Sequence, residues 1–422
     1  MIKKSIFVFA LIALVFGLLA LSSCAQGGKP GEKKGGTEET QQAKEPIVIG
    51  FAGPLSGDQS QFGIDIERGV EIAIDEINQK GGLLGRPVQL EALDDKADPR
   101  EASNAASKLV ADSKVVGVVG HLNSGCSIPA SVLYNRANMI MISPSSTADM
   151  VTEQGFNNVF RVVFKDSMQG PAAAVFAKDK LGANTVAVLN DKTAYGKGLA
   201  EAFKKKAIEL GMKVVAEDAY NVGEKDFSTL VTKLISANPQ IVYVGSMYAE
   251  AALLLKQSRP RGLKAVLMGG DGLFAPKLIE IAGDTSEGIV ITFMAPPWEE
   301  TETASNFLAT YREKYKEDVK SFAPLAYNAM MALAEGIRKA GVAEREAIVT
   351  AMHAPDFQVE AIGGTIKFDQ NGDIEGREPY FYTVKNGKFV IYGSEEEKAP
   401  GGTTEENKPN EPEKPSDVSQ GK

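Results

Sequence analysis

Short runs of β-branched and apolar residues recur along the body of this chain, each followed by a stretch whose apolar positions fall three and four apart. The first run, IVIGFA (47–52), has no charged position and predicts a buried strand. The segment after it, GIDIERGVEIAIDEINQKGG, places Ile66, Val70, Ala73 and Ile77 at helical spacing and stops at Gly81 and Gly82. The same beat returns in VQLEAL then EASNAASKLVAD, in VVGVVG then SIPASVLYNRA, and in MIMI and FRVV. Such alternation predicts parallel strands covered by helices.

A second series begins after Val163. It runs through a helix opened by Pro171 (GPAAAVFAKDKLG), TVAVLND, a helix ending at Gly211, then KVVAEDAY, IVYVGS, AVLMGGD and GIVITFM, and it predicts a second parallel sheet. From Glu299 to about Gly341 the pattern is helical again, carrying Phe307, Tyr311, Tyr315, Tyr327, Met331 and Leu333. The closing stretches GGTIKFDQNGDIEG, YFYTVKNG and KFVIYG read as strands punctuated by turns. No short tandem repeat is present, so two similar α/β halves are expected rather than a solenoid or propeller.

The ends carry a different pattern. MIKKSIFVFALIALVFGLLALSSC has two lysines, an apolar run from Ile6 to Leu21, small residues and a cysteine, which reads as a secretory signal peptide over residues 1–23. The run is shorter than the roughly 20 residues a spanning helix needs. Leu21-Ser22-Ser23-Cys24 resembles the bacterial lipobox, which implies lipidation of Cys24 and a body held outside the cytoplasmic membrane. Residues 24–45 have no apolar periodicity and read as a flexible tether. The Pro- and charge-rich stretch after Ser394 offers nothing to bury, and 396–422 is expected to be a disordered tail.

Between the ends lie about 350 residues, enough for two lobes. The net charge of −9 becomes −11 without Lys3 and Lys4, which argues against nucleic acid or anionic lipid as a partner. If Cys24 carries lipid, Cys126 is the one remaining thiol, and no intrachain disulfide can form. His121 and His353 lie far apart, outside any metal-binding spacing. No phosphate-loop or dinucleotide fingerprint follows any strand, so no metal and no cofactor are expected.

The stretch VVGVVGHLNSGCSIPAS (115–131) could be a nucleophile with its base or a polar cradle. G-x-S-x-G is absent, and nothing in the spacing supplies the nucleophile, base and orienter that acyl chemistry requires. His121 then reads as a capping or packing residue and Cys126 as a small buried thiol. A strand ending in Gly, Asn, Ser, Gly and Ser before a helix with Pro129 in its first turn instead presents backbone N–H groups and hydroxyls, suited to a carboxylate. MIMISPSSTADM repeats this with Ser145, Ser146 and Thr147, for which an ordinary N-cap is the plainer alternative. Two such loops on successive strands would converge at the carboxyl edge of one sheet.

GPLSGDQSQFG, DDKADP, the 115–131 stretch, MISPSSTA, NDKTAYGKG, GEKDFSTLV and FDQNGD together resemble, in order and over nearly all of 47–393, the leucine/isoleucine/valine-type periplasmic binding proteins. These are the substrate receptors of branched-chain amino-acid ABC transporters. The resemblance implies two Rossmann-like lobes, 46–165 with 296–378 and 166–295 with 379–395, joined by a three-segment hinge around a ligand cleft. It implies that Ser124 and Thr147 hold the ligand carboxylate, that the Ser145 carbonyl accepts from the ammonium, and that Tyr195 closes over the amino acid. Asp271 falls where the family uses a glutamate for the ammonium, and Phe62 where it places an aromatic wall. Met247 stands in place of a tyrosine, with Tyr248 displaced by one position. Taken by themselves, Asp271 reads as a turn aspartate, Met247 as core, and Tyr195 as packed on its own helix.

The expected function is that of a non-enzymatic, monomeric receptor that captures a small amino acid and passes it to membrane permease subunits. A sensory receptor of the same fold, for an amide, another amino acid or an aromatic acid, is the alternative. A Ser or Cys hydrolase is more remote.

Overall fold

The computed structural model describes residues 45–394. The signal peptide, the Cys24 lipidation site, all of the tether but Glu45, and the tail over 396–422 lie outside the described residues.

The first half builds a five-stranded parallel sheet. In chain order its elements are β1 (Ile47–Gly53), α1 (Ser60–Gln79), β2 (Val88–Asp94), α2 (Pro99–Ala111), β3 (Val115–Gly120), α3 (Ser124–Arg136), β4 (Ile140–Ser143) and β5 (Val159–Arg161). The strands lie in the order β2-β1-β3-β4-β5. Every residue of β1, β3, β4 and β5 is buried, because helices cover both faces, and this is why these runs show no polar alternation.

The chain then crosses to a second sheet through α4 (Asp166–Asp179), β6 (Thr185–Asn190), α5 (Ala194–Glu209), β7 (Lys213–Ala219), α6 (Ser228–Ala237), β8 (Ile241–Gly245), α7 (Tyr248–Ser258), β9 (Val266–Gly269), α8 (Pro276–Ala282) and β10 (Val290–Phe293). Its parallel strands repeat the first arrangement as β7-β6-β8-β9-β10. The chain returns to pack α9 (Ser305–Tyr315), α10 (Ala323–Ala340) and α11 (Arg345–Met352) on the first unit, with the small ribbon β11 (Val359–Ala361) and β12 (Gly364–Ile366). It finally crosses back as β13 (Tyr380–Lys385) and β14 (Lys388–Ile391).

Several boundaries differ from the sequence expectation. Pro129 is not in the first turn of α3 and Pro171 does not open α4: each is the sixth residue of its helix, past the first turn. The second sheet is not all parallel, since β13 pairs antiparallel with β10 and forms a hairpin with β14 through Asn386 and Gly387. Both turn residues have positive φ, 51° and 70°, as a two-residue hairpin turn requires. The helical stretch 299–341 is broken, because Lys316 takes the left-handed conformation and ends α9. A buried carboxylate then starts α10: Asp65 accepts from the backbone N–H groups of Ser321, Phe322 and Ala323 at 2.8 to 3.0 Å. That long-range cap replaces the local Ser, Thr or Asn a sequence reading looks for.

Three segments connect the two sheets. Residues 162–164, 294–296 and 376–380 line one cavity of about 370 Å³, so the crossings run side by side. Arg161, fully buried, pairs with Asp373 at 2.5 Å, and Thr152 donates to the same carboxylate. Burial alone would raise the Asp373 carboxyl, but Arg161 and Lys165 beside it hold it below its ordinary value.

Candidate functional site

In each sheet the strand order reverses direction beside its central strand, between β1 and β3 in one and between β6 and β8 in the other. Loops leaving the carboxyl ends of such neighbouring strands diverge to opposite faces and leave a crevice, where folds of this kind take ligands. Here the two crevices face each other. A cavity of about 630 Å³ is lined from the first unit by Asp58, Gln59, Asn123, Ser124 and Ser145, and from the second by Thr193, Tyr195, Met247 and Asp271. Its volume falls in the range of small-molecule sites.

One wall is a hydrogen-bond donor site. Ser124 is the first residue of α3, and Ser124 and Gly125 both line the cavity. The leading N–H groups of a helix have no intrahelical acceptor, and neither of these donates to another described residue. The Ser124 hydroxyl accepts from the Ala148 amide at 3.2 Å, which ties it to the neighbouring serine-rich loop. In that loop the Ser145 hydroxyl donates to the Leu122 carbonyl at 3.1 Å, and Ser145 lines the cavity. Thr147 is fully buried and does not line the cavity, but its Oγ1 has no hydrogen-bond partner among the described residues.

The opposite wall carries a buried carboxyl. Asp271 follows β9 and is 4% exposed. Its Oδ1 accepts from Gln169 Nε2 at 2.9 Å and from the Tyr195 hydroxyl at 3.1 Å. Burial pushes its carboxyl up to about 6 despite these two bonds. Tyr195 reaches it because α5 lies directly against β8: a Cβ at Gly245 would stand 2.0 Å from the Gly196 carbonyl oxygen. Glycine at this crossing is what lets the helix deliver Tyr195 to the cavity.

The expected site residues therefore divide. Ser124, Ser145, Tyr195, Met247 and Asp271 line one cavity. Phe62 does not: it is fully buried one layer behind, edge to face with Phe322 and with Tyr248, each at 5.1 Å. Phe322 supplies the aromatic surface of the cavity instead. Met247 faces the cavity although composition favours a core role, with its sulfur 3.0 Å from where a Cβ on Gly272 would sit.

Sequence reasoning passed over Asp166. It opens α4 at the first crossing, is 1% exposed, and neither carboxyl oxygen has a hydrogen-bond partner among the described residues. Its amide donates to the Thr147 carbonyl at 2.8 Å. Burial and then the nearby Asp271 charge raise its carboxyl well above the ordinary value, outweighing the Thr147 hydroxyl beside it. Asp166 reads in sequence as an ordinary acidic residue in a first helical turn; only its burial marks it.

No catalytic arrangement forms around the 115–131 stretch. His121 contacts Asp95 through Nδ1 at 2.7 Å and the Tyr134 hydroxyl through Nε2 at 3.2 Å, leaving neither nitrogen for Ser124. The Cys126 thiol is 1% exposed and pushed up by burial, so it is not an activated nucleophile.

The geometry agrees with what the chain is similar to. Residues 46–388 match the family model described as periplasmic binding protein. A leucine-, isoleucine-, valine-, threonine- and alanine-binding protein of Pseudomonas aeruginosa is 36% identical over 351 residues, which cover 83% of this chain and 90% of that protein. The crystal structure of a leucine-binding protein from Thermotoga maritima superposes with a TM-score of 0.76 at 33% identity, covering 82% of this chain and 97% of the other. A branched-chain amino-acid transporter substrate-binding protein from Streptococcus pneumoniae, solved with isoleucine, gives 0.75 at 29% identity, covering 82% and 98%.

Proposed function

The chain belongs to the periplasmic binding protein family, whose members are non-enzymatic solute binders, and on that premise we propose that its solute is an aliphatic amino acid, with leucine, isoleucine and valine preferred. One observation carries this reading: the Ser124 and Gly125 N–H groups and the Ser124 hydroxyl face the buried carboxylate of Asp271 across one cavity. An amino acid is a zwitterion and needs these two opposite sites. Leu122, Met247 and Phe322 offer apolar surface for its side chain. The names of the similar proteins from Pseudomonas aeruginosa and Streptococcus pneumoniae point to the same ligand class.

In this reading Ser124 and the Gly125 N–H hold the carboxylate with Thr147 buried behind them rather than in contact, the Ser145 carbonyl and Asp271 take the ammonium, and Tyr195 packs over the ligand while fixing Asp271. The donors and Asp271 come from different sheets, so a bridging ligand stabilises the closed arrangement over the open one. The three crossings near Lys165, Ala295 and Glu378 form the hinge between lobes 46–165 with 296–378 and 166–295 with 379–395. The loaded form is passed to the permease of an ABC transporter, with the receptor tethered through lipid on Cys24. This chain performs no ATP chemistry.

The test is mass spectrometry of small molecules released on denaturing the purified protein, followed by thermal shift with single amino acids. A branched-chain amino acid that returns intact and raises the melting temperature supports the proposal. If none is released and none shifts the transition, the ligand belongs to another class.

A further inference from the structure

Tyr248 stands one residue beyond Met247, and the structure gives it a partner outside the cavity. Met247 precedes α7 and turns into the cavity, while Tyr248, the first residue of that helix, points away from it. Its ring is 2% exposed and packs edge to face on Phe62, at 87° between planes. Its hydroxyl donates to the Asp58 carbonyl. Tyr248 belongs to the second-sheet unit, whereas Asp58 and Phe62 belong to the loop and first turn that open α1 on the first-sheet unit. The contact therefore spans the cleft.

The loop it grips forms part of the cavity wall. Asp58 and Gln59 both line the cavity, and Gln59 Oε1 accepts from Asn123 Nδ2 at 2.7 Å, next to Ser124. Phe62 in turn rests on Phe322, which also lines the cavity. Burial pushes the Tyr248 hydroxyl up to about 12, so it stays a neutral donor at physiological pH.

We propose that Tyr248 is a positioning residue that clasps the two units in the closed arrangement and prolongs ligand residence without touching the ligand. Opening the cleft breaks the bond to Asp58 and exposes the ring, so the contact favours the closed form alone. Losing one neutral hydrogen bond lowers the closed-to-open ratio by about 2- to 10-fold. The proposal rests on the amino-acid receptor reading for its ligand and on the interlobe contact for its mechanism.

The experiment measures L-leucine and L-valine binding by stopped flow in the full chain and in Tyr248→Phe and Tyr248→Ala. Tyr248→Phe is expected to raise the dissociation rate by about 2- to 10-fold, with the association rate, the leucine-to-valine preference and the ligand-free melting temperature unchanged. Tyr248→Ala should dissociate faster still. An unchanged dissociation rate in Tyr248→Phe, or an altered leucine-to-valine preference, overturns the clasp. If the wild-type chain binds neither amino acid, the receptor reading fails instead. Small-angle scattering then decides the clasp by itself: a larger radius of gyration in Tyr248→Phe supports it, and identical scattering refutes it.

Discussion

The Tyr195 hydroxyl donates to Asp271 Oδ1 at 3.1 Å while accepting from the Gly272 amide at 3.0 Å. Tyr195 thus orients the carboxylate proposed to take the ligand ammonium, and its ring and hydroxyl have separate tasks. Replacing it by phenylalanine keeps the ring but removes one of the two side-chain donors to Asp271. Burial of that carboxylate is then less compensated. We expect Tyr195→Phe to weaken amino-acid binding by about 10- to 150-fold, the scale of one hydrogen bond to a charged group, as read by calorimetry at pH 7.5.

Asp271→Asn separates binding from stability. The amide oxygen can still accept from Gln169 and Tyr195, so the local packing is retained. Binding should fall by about 2–4 kcal/mol because a buried ammonium is left unpaired. Stability without ligand should move the other way. The carboxyl is raised in the folded chain from 3.8 to about 6, so its stabilising contribution is complete below pH 3.8 and is lost as pH rises through about 6. Thermal melts of the ligand-free variant should match wild type near pH 4 and exceed it above pH 6, by up to about 3 kcal/mol.

The same carboxylate sets the pH dependence of binding. The ligand ammonium needs Asp271 ionised, so affinity should be level above about pH 6.5 and fall close to tenfold per pH unit below about pH 5.5. Titrations from pH 4.5 to 8 test this. A flat profile would remove Asp271 from the ligand site.

Arg161, at the end of β5, and Asp373, just before the third crossing, form a buried ion pair beside the hinge segments. Removing one partner strands a buried charge, so Arg161→Met should cost about 3–5 kcal/mol, with the double variant Arg161→Met/Asp373→Leu recovering part of it. Because the Asp373 carboxyl lies below its ordinary value in the fold, the pair's contribution is present above the ordinary carboxylate range and is lost as pH falls through the depressed value. Chemical denaturation at pH 7 and pH 3 measures both effects.

Much of this molecule is written in local pattern. β1, β3 and β8 are short apolar runs because each is covered on both faces, and the Asn-Gly pair between β13 and β14 dictates its hairpin through φ alone. Position along the chain also pointed to Ser124 and Ser145, since polar loops after parallel strands gather at one sheet edge. What sequence periodicity cannot carry is contact between units distant in the chain. Asp65 caps a helix more than 250 residues away, Phe62 stands behind the wall it was expected to form, and the Asp166 carboxyl is raised by burial beside Asp271. Met247 and Tyr248 are adjacent in sequence, yet one enters the cavity and the other crosses the cleft to Asp58. Side-chain direction at the start of a helix follows the packing of two units against each other, and only the tertiary structure decides it.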